Sequence, residues 1–207
     1  MVGSMAVRGF LEEMTYAYVD EKGCGFLIDP GAEPDRVAEW IGENGWTIDA
    51  ILLTHGHFDH IGAVEALRSR LCAPVWAYED GPRYLEDPRT NLSAYYGVPL
   101  RLSADRLLSD GCVVENRSGT LSLQVISTPG HTQDSVVYYG KEDGIAFVGD
   151  TVFAGAVGRT DFPGGSLRDL RASLIDRVFV LPPETILYSG HSEPTTVGME
   201  RTRCPIL

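Results

Sequence analysis

The apolar and polar positions divide the chain into short strand and helix segments. Residues 14–20 and 23–29 have strand patterns joined by a polar turn, which predicts a β-hairpin. Residues 48–54 (IDAILLT) form a nearly continuous apolar run, typical of a strand that is buried on both faces. Further strand patterns lie at 73–78, 121–128, 134–140, 144–150 and 184–190.

Three segments between these strands carry apolar residues at helical spacing. They are residues 31–45, 61–71 and 166–181. Residues 79–110 mix short helical pieces with loops. Strands separated by helices predict a layered α/β fold, and we expect a single domain over residues 1–207.

Charge and cysteine usage narrow the class of protein. With 17 Lys and Arg against 29 Asp and Glu, the net charge is −12, which argues against nucleic-acid and anionic membrane partners. The four cysteines are widely spaced without a C-x-x-C pair, which favours reduced thiols in the cytoplasm. The first ten residues lack the apolar core of a signal peptide, so we expect a cytoplasmic protein. Residues 1–4 can be a non-native extension before Met5.

Candidate chemistry is concentrated in one histidine-rich run. Three of the five histidines and one aspartate lie within His55–His60. This crowding gives no stability by itself, because polar rings are costly to bury without partners. The other two histidines, His131 and His191, each follow an apolar strand and a glycine, and Asp150 ends another strand pattern. Four strand ends thus each supply a candidate metal ligand, where α/β folds place their sites.

The spacing favours two sets of metal ligands that share one carboxylate. His55 and His57 are two apart in an extended segment and point to the same side. The seven candidates are His55, His57 and His131 for one ion, Asp59, His60 and His191 for the second, and Asp150 as a bridge. Asp59 precedes the helix near Ile61, so it can be a helix cap, a ligand or both. Histidine and carboxylate ligands suit zinc, iron or manganese; we expect two divalent ions, with zinc preferred.

These motifs resemble those of a known family. THGHFDH at 54–60 resembles the T-H-x-H-x-D-H signature of the metallo-β-lactamase superfamily. TPGHT, GDT and SGH stand where the superfamily has its later ligand motifs, and LIDPG resembles its first motif. Residues 149–165 and 189–201 are similar to the glyoxalase II-like branch. The resemblance implies a four-layer αβ/βα sandwich with the metal site along one edge.

Residues around the ligand motifs have two interpretations each. Asp29 in the DPG turn can be a turn residue, or it can orient a ligand through Thr54 or a histidine N–H, as the resemblance implies. Arg159 and Asp161 can contact substrate, although an ion pair that shapes the loop is favoured. We expect Tyr95 and Tyr96 to be packing residues, and residues 154–165 to form a mobile loop beside the site.

The resemblance implies a metal-dependent hydrolase. The expected substrate is S-lactoylglutathione or a related small acyl-thiol, cleaved by a hydroxide that bridges the two ions, with Asp59 binding metal and orienting the hydroxide. Only sixteen residues follow His191, so we expect no C-terminal helical region of the kind with which glyoxalase II proteins bind glutathione. Glutathione recognition would then fall to loops or to a second subunit of a homodimer.

Three alternatives stay open. The persulfide dioxygenase branch has a similar GRTDF segment and uses one iron, which His55, His131 and Asp150 would hold. A lactonase or another ester hydrolase would use the same site. A non-catalytic metal-binding protein would keep the ligands without turnover. The missing signal peptide disfavours a β-lactam substrate.

Overall fold

In the computed structural model, residues 1–206 are described, and they form two six-stranded β-sheets that pack face to face. Helices cover the outer face of each sheet. This arrangement is the predicted four-layer αβ/βα sandwich. Within residues 1–206, no helix combines the length and the apolar composition needed to cross a bilayer.

The first sheet combines antiparallel and parallel strands. Its strands in spatial order are β1 (Val2–Arg8), β2 (Glu12–Val19), β3 (Cys24–Ile28), β4 (Thr47–Leu52), β5 (Val75–Tyr78) and β6 (Arg106–Leu108). β1, β2 and β3 pair antiparallel, and the later strands pair parallel. The predicted hairpin is confirmed as β2 and β3. β1 was not predicted, because most of this edge strand is only half-buried and its apolar alternation is weak. Residues 2–4 lie within it.

The second sheet contains the strands of the second half of the chain. Their spatial order is β14 (Thr195–Thr196), β13 (Ile186–Ser189), β10 (Ile145–Gly149), β9 (Val136–Gly140), β8 (Ser122–Ser127) and β7 (Val113–Glu115). β10 and β13 pair parallel, and the other neighbours pair antiparallel. A short separate hairpin, β11 (Val152–Phe153) and β12 (Ala156–Val157), follows β10.

Alternation along the central strands fills the layers on both sides. In β3, Phe26 and Ile28 point between the two sheets, whereas Leu27 packs under the helices of the first sheet. In β10, Phe147 points between the sheets and Val148 packs under the helices of the second sheet. Because successive strand residues point to opposite faces and both faces are buried, these strands read as continuous apolar runs.

Residues 1–206 contain six α-helices, and all three predicted helical segments differ from them in their bounds. The helices are α1 (Pro34–Glu43), α2 (Phe58–Ile61), α3 (Val64–Leu71), α4 (Pro82–Leu85), α5 (Leu167–Ser173) and α6 (Val197–Arg203). The predicted helix 61–71 is two helices, because the chain already turns helical at Phe58 and reorients at Gly62 and Ala63. The predicted helix 166–181 continues after α5 only as a π-helical turn, Leu174–Val178.

The loops that follow four strands meet at one edge of the sandwich. His55 follows β4, His131 follows β8, Asp150 follows β10, and His191 follows β13. One of these strands belongs to the first sheet and three belong to the second. The edge where the two sheets meet therefore carries the candidate ligands.

Candidate metal centre

All seven predicted ligand side chains come together at this edge. Two sets of three lie with their ligand atoms within 4.8 Å of one another, His55 with His57 and His131, and Asp59 with His60 and His191. These are the two sets that the sequence favoured. Ligand atoms of a third combination, Asp29, His55 and His60, also lie this close together.

Asp150 lies between the two sets. One carboxylate oxygen, Oδ1, is 3.3 Å from His60 Nε2. The other, Oδ2, is 3.6 Å from His131 Nε2 and 3.5 Å from His191 Nε2. One carboxylate thus contacts histidines of both sets, which is the geometry of a bridging ligand.

Several of these ligand atoms are buried without a protein partner. Among residues 1–206, His55 Nε2, His60 Nε2 and Asp150 Oδ1 are inaccessible and have no hydrogen-bond partner. Leaving such an atom unpaired costs about 1–3 kcal/mol. Nitrogen and carboxylate donors that face one another across a few ångströms fit divalent zinc, iron or manganese. The residues present therefore fit a pair of divalent metal ions.

Backbone carbonyls orient two of the histidines. His131 Nδ1 lies 2.7 Å from the carbonyl oxygen of Arg159, and His191 Nδ1 lies 2.7 Å from that of Glu12. A carbonyl only accepts, so each Nδ1 carries the hydrogen and each Nε2 keeps a lone pair toward the centre. Glu12 starts β2 in the first sheet, whereas His191 follows β13 in the second.

Asp29 orients the other side of the site. Its Oδ1 accepts a hydrogen bond from the Thr54 backbone N–H at 2.8 Å, and its Oδ2 accepts one from the Thr54 hydroxyl at 2.5 Å. The same Oδ2 lies 3.1 Å from His60 Nδ1, and the Thr54 hydroxyl lies 3.1 Å from His55 Nδ1. These contacts leave the Nε2 atoms of both rings free for metal. The backbone of Asp29 is left-handed, with a φ of 47°.

Asp59 lies within the first turn of α2, so its interpretation as a helix cap is wrong. The residue at the cap position is His57, whose side chain makes no capping hydrogen bond. Asp59 Oδ2 instead lies 3.2 Å from His191 Nε2. The helix begins at Phe58, two residues earlier than the cap interpretation requires, and the Asp59 carboxylate lies beside the second set of ligands.

Burial and neighbouring charges set the protonation of the ligands. Burial lowers the pKa of His55, His57 and His131, to about 3 for His57, so these rings are neutral and offer lone pairs. Burial also disfavours charge on His60, but the Asp150, Asp29 and Asp59 carboxylates together outweigh this effect and the His60 pKa is raised. Burial raises the pKa of Asp150, yet His60, His131 and His191 together outweigh it, lower the pKa and keep this carboxylate ionised.

Sequence reasoning missed Glu13, which lies beneath the second set. Its side chain is 1% exposed, and its Oε1 lies 3.9 Å from His60 Nδ1. Burial raises the pKa of the Glu13 carboxyl group, and this effect exceeds the lowering by His60. Thr15, two residues along β2, donates its hydroxyl to Glu13 Oε2 at 3.2 Å. The signal available in the sequence was that Glu13 and Thr15, two polar residues, lie on the same face of one strand.

The family model of the metallo-beta-lactamase superfamily matches residues 10–191. The chain belongs to the metallo-β-lactamase superfamily. A hydroxyacylglutathione hydrolase, GloC of Haemophilus influenzae, is 30% identical over 97% of this chain and 95% of its own length. GloC is named as a hydrolase, and the donor atoms described above can hold divalent metal ions in this chain.

Two solved structures in this superfamily are similar over the full length. BLEG-1, described as a B3 metallo-beta-lactamase, has a TM-score of 0.94 and 36% identity, covering 100% of this chain and 99% of its own. TTHA1623, solved in a di-iron-bound form, has a TM-score of 0.86 and 35% identity, covering 99% and 100%. These structures have the two-sheet fold found here.

The candidate metal centre opens into a cavity of about 260 Å³. The side chains at its base are His57, Asp59, His131, Asp150 and His191. Apolar and aromatic side chains form most of its walls: Leu11, Phe58, Leu92, Tyr96, Phe153, Val157 and Phe162. A small substrate can therefore reach the ligand atoms from solvent along a mostly apolar passage.

The loop after β12 forms one side of this cavity. Arg159 and Asp161 form a two-bonded ion pair, with Nε–Oδ1 and Nη2–Oδ2 distances of 2.9 and 2.8 Å. The Arg159 guanidinium also lies over the Phe162 ring, 4.2 Å from its centroid. The loop is thus shaped by the ion pair and holds His131 through the Arg159 carbonyl. Its mobility stays a prediction.

Tyr96 packs against a neighbouring ring, as predicted, and it also lines the cavity. Its ring lies 4.4 Å from that of Phe58, centroid to centroid, so it does pack. It is also 42% exposed and lines the cavity beside the ligands. Tyr95 lines a neighbouring cavity.

Proposed function

We propose that this chain is a binuclear metal-dependent thioester hydrolase acting on small acyl-thiols, with S-lactoylglutathione as the reference substrate. The observation that carries the proposal is the pair of ligand sets joined by Asp150, together with the buried His55 Nε2, His60 Nε2 and Asp150 Oδ1 atoms, which have no hydrogen-bond partner. The relative named hydroxyacylglutathione hydrolase supports the choice of a thioester.

The seven ligand residues would hold the two ions. His55, His57 and His131 form the first set, Asp59, His60 and His191 the second, and Asp150 joins them. Zinc, iron and manganese all suit this donor set, and a di-iron form of a similar protein supports iron as well as zinc. When bound, two such ions supply a hydroxide near neutral pH and polarise a carbonyl group.

The protein residues position the reactants. The Asp59 carboxylate faces the cavity; burial raises its pKa, but the neighbouring His191 and His60 together outweigh burial and lower it. It accepts a hydrogen bond from the attacking water and directs the water oxygen at the acyl carbon. The new C–O bond forms, the C–S bond breaks, and the proton released from water ends on the leaving sulfur. Among residues 1–206, no serine, threonine, cysteine or lysine lines the cavity, which supports water as the nucleophile.

The first test is metal content combined with turnover. Protein purified without added metal or chelator should hold close to two ions of zinc, iron or manganese per chain and hydrolyse S-lactoylglutathione. Asp150→Asn removes one bridging charge and should lower both metal content and kcat/KM by at least tenfold. Asp143→Asn changes a carboxylate that accepts from Tyr18, away from the cavity, and serves as the matched control.

Other outcomes contradict the proposal in distinguishable ways. One iron per chain with an empty second set, together with oxygen uptake on glutathione persulfide, would support the dioxygenase alternative. Full metal loading without turnover of thioesters, lactones or persulfides would support a non-catalytic metal-binding protein.

β-Lactam hydrolysis is a second candidate, favoured by the 36% identity and full-length overlap with BLEG-1. The same metal-loaded protein should be assayed with nitrocefin and a carbapenem. A kcat/KM for either β-lactam above that for every thioester would replace the thioester hydrolase with a β-lactamase.

A further inference from the structure

Aromatic side chains from distant parts of the chain gather at the mouth of the cavity. We call Phe10, Phe58, Tyr96 and Phe162 the aromatic wall. The centroid of the Phe10 ring lies 5.4 Å from that of Tyr96 and 6.1 Å from that of Phe58. Phe10 is 58% exposed. Tyr96 is 42% exposed and Phe58 is buried, and a contiguous apolar patch that is partly exposed is typical of a binding groove.

The aromatic wall is continuous with the candidate metal centre. Phe58, Tyr96 and Phe162 line the same cavity as His57 and Asp59. Two further cavities extend the apolar surface outward from it. One is lined by Phe10, Leu11, Phe58, Val98, Leu100 and neighbouring residues, and the other by Leu92, Tyr95, Tyr96, Phe162 and Pro163. A group attached to a substrate at the ligands would therefore lie against aromatic rings.

The same surface offers little to an anionic group. Among residues 1–206, Arg159 is the only lysine or arginine that lines the three cavities. Its guanidinium is already paired with Asp161 by two hydrogen bonds. Glutathione carries two carboxylates and one ammonium group, so its carboxylates would find no unpaired lysine or arginine in these cavities. The net charge of −12 adds a general penalty for anions.

We propose, resting on the proposed thioester hydrolase, that the aromatic wall selects thioesters whose acyl or thiol arm carries an uncharged aryl group, in preference to glutathione thioesters. The aryl group would pack against Tyr96 and Phe58 while the thioester carbonyl lies at the ligands. The products are the free acid and the free thiol, so the balance of the reaction is unchanged.

Matched substrate pairs test each arm of the thioester. For the acyl arm, S-phenylacetyl-N-acetylcysteamine is compared with S-acetyl-N-acetylcysteamine. For the thiol arm, S-acetyl benzyl mercaptan is compared with S-acetyl ethanethiol. Each kcat/KM on the metal-loaded protein is divided by the rate of hydrolysis by hydroxide in buffer. We expect the aryl member of at least one pair to be favoured by about tenfold, and S-lactoylglutathione to rank below it.

Variants show whether the aromatic wall causes the preference. The aryl preference is the kcat/KM of the aryl member of a pair divided by that of its matched partner. Tyr96→Ala should lower this ratio by about tenfold, equivalent to about 1.4 kcal/mol. Val180→Ala truncates an apolar side chain that is 67% exposed and outside the three cavities, and it should leave the ratio unchanged. A higher kcat/KM for S-lactoylglutathione than for every aryl thioester, or an unchanged ratio in Tyr96→Ala, would overturn the proposal.

Binding without turnover and the oligomeric state are measured separately. Calorimetry with non-hydrolysable benzyl and methyl thioethers measures aryl binding without turnover. Failure of the proposed hydrolase appears as no turnover of any thioester, and the thioether comparison then still decides whether the aromatic wall binds aryl groups. Light scattering detects a dimer. A wild-type dimer that dissociates in Phe10→Ala would assign the aromatic wall to a second copy of the chain and overturn the substrate role.

Discussion

The Asp29→Asn variant tests how the protein prepares two histidines for metal. The Thr54 backbone N–H must keep an acceptor, so the amide oxygen of the new side chain takes the position of Oδ1. The amide NH₂ then replaces Oδ2, which faces the Thr54 hydroxyl and His60 Nδ1. His60 Nδ1 must now accept a hydrogen bond, and its hydrogen moves to Nε2. The Thr54 hydroxyl must accept from the amide and donate to His55 Nδ1, so the His55 hydrogen also moves to Nε2.

This single atom exchange therefore puts hydrogens on two nitrogens that would bind metal. Restoring each ring to the binding tautomer breaks a buried hydrogen bond worth about 1–1.5 kcal/mol, roughly tenfold in affinity. Two rings give an expected loss of about 100-fold in metal affinity, at the upper end for a group behind the ligands. Because the amide still fills the site, we expect little change in folding.

A chelator competition titration followed by metal analysis measures the affinity. Asp143→Asn is the matched control, since it makes the same exchange at a carboxylate that accepts from the Tyr18 hydroxyl, and it should bind metal normally. Thr54→Val removes the hydroxyl without reversing the His60 contact, so its loss should be about tenfold. Circular dichroism checks that each variant folds. A folded Asp29→Asn protein with affinity within threefold of wild type would refute the tautomer reasoning.

Two other variants test packing and charge near the site. Gly190→Ala would place a methyl group 2.6 Å from Asp150 Oδ1 and 2.5 Å from His60 Cε1. We therefore expect metal content to fall by more than half and the protein to lose about 1–3 kcal/mol of stability. Full metal content would contradict this expectation. Burial raises the pKa of Asp134 to about 7, so the folded state keeps a proton that the unfolded chain releases above about pH 4. The contribution of Asp134 to the free energy of unfolding should therefore fall by up to about 4 kcal/mol between pH 4 and 7. In urea titrations of metal-free protein, the wild type should lose stability relative to Asp134→Asn as the pH rises through this range, whereas parallel pH profiles would argue against it.

The strand framework and the ligand positions could be predicted because their signals are local. Residues 48–54 are apolar throughout because β4 is buried on both faces. His131 and His191 were recognisable because each follows such a strand after a glycine. β1 has no comparable signal, because the side chains of an edge strand are only partly buried.

Contacts between distant segments could not be predicted in the same way. The carbonyls of Glu12 and Arg159 orient histidines, yet a backbone carbonyl has no mark in the sequence. The contact of Phe10 with Tyr96 depends on how the loop after β1 meets the short 3₁₀ turn at Ser93–Tyr96. Such contacts follow from the tertiary packing of loops, which residue patterns do not specify.

The carbonyl of Glu12 that holds His191 has a consequence for how the molecule assembles. The first half of the chain supplies the histidine-rich run, and the second half supplies His131, Asp150 and His191. Each of the two ligand sets needs residues from both halves of the chain. Each set is therefore complete only after the halves dock. Bound ions would then link the two halves of the chain. The free metal concentration would therefore change the stability of the folded protein as well as the metal occupancy of its site.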